Sequence, residues 1–310
     1  MEVNFSVVIP LYNKEAYVAK TLNSVLNQTY QNFEVIIVND CSTDNSLNVV
    51  HKINDSRFKI IKHNKNKGLS ASRNTGINAA THSYVAFLDA DDYWDPTYLE
   101  TMWNLIKEYP DESVFATHYR ENYKGKFFIP KSNLPLTSKG KTFLVRNFFG
   151  INLGRLILTQ SCIVVHKSIF KKVGYYDEDV TFAEDIDFYI RCFSICNLVF
   201  LNVDLCTISN YDPNSITNRV SHKKTFPKLH KYLNNSDSLD KFINFYIYCI
   251  YRRMKNESAR KEMRFYRNQI KYNSLSVLQI LFIYLPLPFY LFLIRIKKSL
   301  LNKGCHISSY

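Results

Sequence analysis

Phe33-Glu34-Val35-Ile36-Ile37-Val38-Asn39-Asp40 is an apolar, β-branched run that ends in a carboxylate. Its length and composition suit a buried strand better than a helix. Upstream, Phe5-Ser6-Val7-Val8-Ile9-Pro10 is a second such run closed by proline, and Val18, Leu22, Val25 and Leu26 recur between the two at helical spacing. The reading is β-α-β. The alternation continues downstream with a helix near 43–52, a strand near 58–62, a helix near 69–80, a strand at 84–88, a helix from Pro96 to about 109 and a strand near 113–119. Strands that are apolar throughout, separated by single helices, predict an α/β fold with a mainly parallel sheet flanked by helices. Ligands of such sheets bind beyond the carboxyl ends of the strands, so the polar residues just after each strand are the candidate site.

Residues 123–141 carry Gly125, Pro130, Pro135 and Gly140 among many Lys and Ser, and read as an excursion from the sheet. A strand at 162–166, a turn at Gly174 and a helix near 185–196 complete one unit, taken as residues 1–218. The remainder, 219–310, has a different composition. It holds 18 Lys+Arg against 4 Asp+Glu, whereas 1–218 holds 22 against 23, so the net charge of +13 belongs to the C-terminal region. With 310 residues and 46% hydrophobic content, one large domain with a helical, basic appendage is the expected organisation. Seven cysteines without a CxxC pair indicate reduced thiols and a cytosolic setting. The start of the chain lacks a basic n-region, and the apolar run from Phe5 to Leu11 is too short for a signal peptide.

Asp40 follows the second strand and projects into the crevice, where it could take an N–H from a nucleotide base; Ser42, Thr43 and Asp44 beside it equally suit capping of the next helix. Asp89-Ala90-Asp91-Asp92 follows the strand at 84–88. Three carboxylates at one strand end repel one another unless a cation neutralises them, and a divalent metal such as Mg²⁺ or Mn²⁺ would bridge carboxylate to diphosphate. Asn66 through Gly76 combines small residues at a helix start with the cations Lys67 and Arg73, which suits phosphate or base contact as well as plain helix packing. Glu184-Asp185-Ile186-Asp187 opens a helix, where acidic residues also satisfy the macrodipole.

Five segments occur in a telling order: Val8 through Glu15 (Val-Ile-Pro-Leu-Tyr-Asn-Lys-Glu), Val38-Asn39-Asp40, Lys67-Gly68 through Gly76, Asp89 through Asp92, and Glu184-Asp185. Together they resemble family 2 glycosyltransferases of the GT-A fold, of bacterial polysaccharide or O-antigen type, over roughly residues 5–218. The resemblance implies an inverting transferase that moves a sugar from a UDP-sugar to a hydroxyl of a saccharide or lipid-linked acceptor. Pro10, Tyr12 and Glu15 would line the nucleotide pocket, Asp40 would accept from uracil, and Lys67 and Arg73 would face the nucleotide or diphosphate. Asp91 would be the principal metal ligand with Asp89 beside ribose and metal, Asp185 the catalytic base, and Glu184 an acceptor-side neighbour. Many relatives place a metal-ligating His before an Asn-Ser pair; here Asp212 stands at that place and is expected to substitute as a ligand, although a turn residue before Pro213 is an equally good reading of it.

Leu275 to Ile294 is twenty residues without a charge, but Pro286 and Pro288 interrupt it and cations flank both ends. A segment lying in or dipping into the cytoplasmic leaflet is expected, with Tyr284 and Tyr290 near the headgroups and Lys/Arg on an anionic membrane surface, at the inner face of the cell membrane; a helix packed on the catalytic domain is the alternative. The basic tail would also suit nucleic acid, yet its cations interleave with long apolar stretches and no nucleic-acid-binding motif occurs, so no nucleic-acid partner is expected. A catalytically silent nucleotide-sugar binder on the same fold is the other alternative, against which the intact acidic set speaks.

Overall fold

Strands without a polar face need cover on both sides, and the chain supplies it by alternating strand and helix. The computed structural model describes residues 3–134, 138–209 and 224–302. In chain order it contains β1 (Phe5–Leu11), α1 (Val18–Leu26), β2 (Phe33–Asn39), α2 (Ser46–Ile53), β3 (Phe58–Lys62), α3 (Leu69–Ala79), β4 (Tyr84–Phe87), β5 (Tyr93–Trp94), α4 (Tyr98–Glu108) and β6 (Val114–Tyr123). There follow β7 (Lys126–Phe128), β8 (Thr142–Val145), α5 (Phe148–Ile151), β9 (Ile163–His166), α6 (Ser168–Val173), α7 (Glu184–Phe193) and β10 (Leu198–Ser209). The C-terminal region is helical, with α8 (Asp237–Asn256), α9 (Arg260–Arg267), α10 (Val277–Tyr284) and α11 (Leu287–Asn302).

The sheet runs in the order β3-β2-β1-β4-β9-β6-β10-β5, with β7 on β6 and β8 on β10. β3, β2, β1 and β4 are parallel, as expected. Beyond them the sheet is mixed: β9 is antiparallel to both β4 and β6, so β6 and the parallel β10 point the same way as β1. Antiparallel pairing needs no crossover helix, and β7 accordingly joins β6 through a two-residue turn, whereas β5, β8 and β9 pair with strands distant in the chain. The result is that β1, β2, β3, β4, β6 and β10 all end at one edge of the sheet.

The expected excursion at 123–141 begins as a hairpin, its turn made by Lys124 (φ 52°) and Gly125 (φ 82°), both in the left-handed region that two-residue hairpin turns require. α3 crosses β1 so closely that a Cβ on Gly76 would lie 2.3 Å from Val8 Cγ1, so glycine at 76 sets the depth at which this helix sits. One apolar core continues from the sheet into α8, where Phe242 packs on Phe148 and Phe149 with ring centroids 6.2 and 5.3 Å apart.

The uncharged segment from Leu275 to Ile294 is broken, as its prolines require: α10 and α11 meet at a bend of 119°, and no single helix among the described residues is long and apolar enough to cross a membrane. Val277, Leu278, Leu281, Tyr284, Phe289 and Phe292 are exposed along this pair. Tyr290 corrects its expected place: it is fully buried and packs against α8, with the Lys255 ammonium 4.8 Å from its ring, so only Tyr284 of the two faces outward. Lys255, itself buried, donates to the carbonyls of Phe282, Ile283 and Leu285 at 2.7, 3.0 and 2.7 Å. Those carbonyls close α10, where Pro286 and Pro288 cannot supply N–H partners, and the lysine caps them instead. Desolvation and the charge of Arg267 bring its pKa down to about 8. Lys255→Met, which keeps the stem and removes the donors, should lower unfolding free energy by about 1–3 kcal/mol in urea titration. An unchanged midpoint would show that the cap contributes nothing.

Candidate active site

The loops after β1 and β2 interlock at the shared strand edge. Asn13 N–H donates to Ser42 Oγ (3.2 Å), the Asn13 side-chain oxygen accepts from Thr43 N–H (2.8 Å), and Lys14 N–H donates to Ser46 Oγ (2.7 Å). Glu15 completes the lock: its N–H donates to Asp44 Oδ2 at 3.0 Å and its carboxylate accepts from Asn45 N–H at 2.8 Å. Pro10 is buried within β1 opposite Val38, and Tyr12, at the strand end, is 43% exposed.

Asp40 is buried directly beyond β2. Its carboxylate accepts from the backbone N–H groups of Lys67 and Gly68, both at 2.8 Å, and lies 2.7 Å from His63 Nδ1. His63 Nε2 in turn lies 2.9 Å from Thr75 Oγ1 on α3. Gly68 has φ 91°, a left-handed conformation that aims its amide at the carboxylate and leaves the Lys67 side chain exposed at the helix start. Asp40 therefore ties the second strand to the loop that opens α3.

Arg73 on α3 is the central cation, with a side chain only 2% exposed. It donates to Glu184 Oε1 at 2.6 Å and to Asp89 Oδ1 at 2.9 Å. Burial opposes its charge, but Asp89 and Glu184 outweigh that and hold it firmly protonated. One guanidinium thus joins the carboxylate after β4 to the first residue of α7. Asp185, the next residue, is half-buried and bonded by Ile186 N–H at 2.9 Å. Desolvation and then the charge of Glu184 push its carboxyl up to about 7, against the opposing pull of Arg73. That places it where a general base at neutral pH works best.

The three acidic residues after β4 diverge. Asp89 turns to Arg73, Asp91 pairs with Lys14 Nζ at 2.5 Å, and Asp92 turns inward to accept from Ser161 Oγ (2.5 Å) and Ser209 N–H (2.9 Å). Burial, then Asp91 and Asp89, raise Asp92 well above the usual carboxylate range; burial also raises Asp91, although Lys14 opposes it. Among the described residues no three His, Cys, Asp or Glu side chains converge as a ready-made metal cage. Mg²⁺ and Mn²⁺ do not need one, since they are held by one or two carboxylates together with substrate phosphates and waters. Asp91, desolvated and beside Asp89, suits that chemistry. Asp212 lies outside the described residues.

Three residues at this edge had no role in the sequence reading. His63 could have been found, because it follows β3 as Asp40 follows β2. Lys14 sits inside a quoted motif but contacts Asp91 seventy-seven positions away. Ser161, which links Asp89 N–H (3.1 Å) to Asp92, precedes a strand rather than following one.

Residues 6–174 match the family described as Glycosyl transferase family 2, more than half of the chain, and the chain belongs to that family. It is 40% identical over 124 residues to the Escherichia coli UDP-Glc:alpha-D-GlcNAc-diphosphoundecaprenol beta-1,3-glucosyltransferase WfaP, covering 40% of this chain and 48% of that protein. It is 28% identical over 218 residues to the uncharacterized glycosyltransferase EpsJ of Bacillus subtilis, covering 68% of this chain and 62% of that one. The chain therefore spans less than two thirds of either relative. The S. aureus TarS structure in complex with UDP-GlcNAc superposes with a TM-score of 0.61 at 20% identity, covering 92% of this chain and 77% of TarS, which shows the GT-A-like fold.

Arg73→Met would strand Asp89 and Glu184 without their buried counter-charge. It should cost about 3–5 kcal/mol of stability by urea unfolding, the usual result of breaking a buried ion pair from one side. A variant as stable as the parent would mean that the bridge does not organise the site.

Proposed function

We propose that this chain transfers a sugar from a UDP-sugar to a hydroxyl of a saccharide acceptor with inversion at the anomeric carbon. The observation that carries this is the Arg73 bridge, which brings Asp89 on the donor side within one guanidinium of Glu184, adjacent to Asp185 on the acceptor side. In this reading Asp40 uses a remaining lone pair for the uracil edge, Tyr12 and Pro10 border the nucleotide, and exposed Lys67 at the start of α3 faces phosphate. Glu15 shapes the pocket by holding the two loops together. Asp91 with Asp89 and Asp212 would hold a divalent cation, which supplies charge neutralisation to the departing diphosphate.

Asp185 takes the proton from the acceptor hydroxyl as that oxygen forms its bond to the anomeric carbon. The bond from that carbon to the diphosphate oxygen breaks on the opposite face, and its electron pair leaves with UDP. An α-linked donor then yields a β-linked product. Residues 1–218 carry this chemistry, and 219–310 bring it to a membrane. A lipid-linked acceptor is supported by the name of the E. coli relative and by the exposed apolar residues of α10 and α11, where the Arg267 guanidinium of α9 lies 4.9 Å from the Tyr284 ring. The resulting setting is cytoplasmic, peripheral at the inner face of the membrane.

Nucleotide release from a panel of nucleotide sugars with Mn²⁺, with and without lipid extract, tests the activity. Asp185 must be ionised to accept the proton and its carboxyl sits at about 7, so kcat/KM should rise with pH and level off above that value. Asp185→Asn should lower kcat by about 100-fold or more and remove the acid limb. A parent that binds UDP but transfers no sugar, or an Asp185→Asn variant with parental turnover, would contradict the mechanism.

The membrane contact is tested by vesicle co-sedimentation. Binding should be strong to vesicles containing phosphatidylglycerol, weak to neutral vesicles and reduced by salt. The paired change Leu281→Asp and Phe289→Asp, at residues 60% and 66% exposed, should reduce binding without unfolding the protein. Equal sedimentation of the parent and the double variant would rule out this surface.

A further inference from the structure

Lys14 reaches from the loop after β1 to the carboxylate after β4. Its Nζ lies 2.5 Å from Asp91 Oδ2, and both side chains are nearly closed to solvent, at 16% and 15% exposure. Its backbone is fixed, since its N–H donates to Ser46 Oγ and its carbonyl accepts from Tyr17 and Val18 N–H, both at 2.9 Å. What can move is the four-carbon stem. A carboxylate this desolvated, with Asp89 and Asp92 beside it, stays ionised only beside a counter-charge. Arg73 is already committed to Asp89 and Glu184, and the Ser161 hydroxyl on Asp92 carries no charge, so neither offers one.

We propose that Lys14 is the resident counter-ion of Asp91 in the nucleotide-free protein and exchanges with the divalent cation that arrives with the nucleotide. The inference rests on the reading of Asp91 as a cation ligand. Ammonium and cation compete for one carboxylate, so each weakens the other. When a diphosphate is present, the displaced Lys14 finds a second anion within reach of its stem, and the penalty on the cation falls. Cation and nucleotide therefore bind cooperatively, and the nucleotide-free protein resists cations that come alone. Lys14 is in this sense a positioning residue that works through Asp91.

The test follows free Mn²⁺ by its electron paramagnetic resonance signal during titration of the parent, Lys14→Gln and Lys14→Arg, each with and without UDP. Without UDP, Lys14→Gln should bind Mn²⁺ about tenfold more tightly than the parent, a coupling of ordinary size, and the enhancement by UDP should shrink. Lys14→Arg keeps the charge and should behave like the parent. In thermal unfolding, Lys14→Gln should melt below the parent without metal and recover when Mn²⁺ is added, which separates a missing counter-ion from general misfolding. Mn²⁺ binding in the parent that is unchanged or weaker in Lys14→Gln would overturn the exchange while leaving Asp91 as a ligand. Failure of every protein to bind Mn²⁺, even with UDP, would overturn the cation reading and the exchange with it.

Discussion

A guanidinium sealed from water has to be neutralised where it stands, and Arg73 is neutralised by Asp89 and Glu184 together. Those partners come from three separate pieces of chain, namely α3, the segment after β4 and the start of α7. The arrangement of the whole edge depends on this contact. It fixes the distance between Asp89 and the helix that carries Asp185, and it places a positive charge where Glu184 and Asp185 would otherwise repel. The same crowding by Glu184, added to desolvation, keeps Asp185 titrating near neutrality rather than in the acid range.

The sheet makes this meeting possible. β9 enters antiparallel between β4 and β6, which allows β6 and β10 to run with β1 and deliver their ends to the same edge. Ser161, at the foot of β9, then lies between Asp89 and Asp92, and Ser209, at the end of β10, closes on Asp92. Asp92 is thereby spent on holding the loop, and Asp91 is the carboxylate of the three whose cationic partner sits on a flexible stem.

The continuous apolar runs around Val8, Ile36 and Ala86 were legible because burial on both faces leaves no polar alternation to confuse them. β10 was not read as a strand, since Leu198–Ser209 is only partly buried and carries Asn202 and Asp204 within it. Strand-end carboxylates such as Asp40 and Asp89 could be placed from their position alone. Their partners could not: Lys14 to Asp91, Arg73 to Glu184 and Asp40 to Gly68 are contacts between distant segments, and no local spacing encodes them. The proline break after Tyr284 was equally plain, whereas the capping amine of Lys255 and the burial of Tyr290 depend on how α8 meets the bent pair α10 and α11.

The C-terminal helices extend the core of the sheet domain and leave one apolar flank outward, so the carboxylate edge and the proposed membrane contact belong to a continuous piece of protein. The proposed transfer requires Asp91 and Asp185 to open into one cavity. A crystal structure of the protein with UDP and Mn²⁺ examines this directly. The account requires Asp91 coordinating the metal against the diphosphate, with Arg73 still bridging Asp89 and Glu184 and Asp185 facing the same space. UDP bound elsewhere, with Asp91 and Asp185 opening into separate cavities, would contradict it.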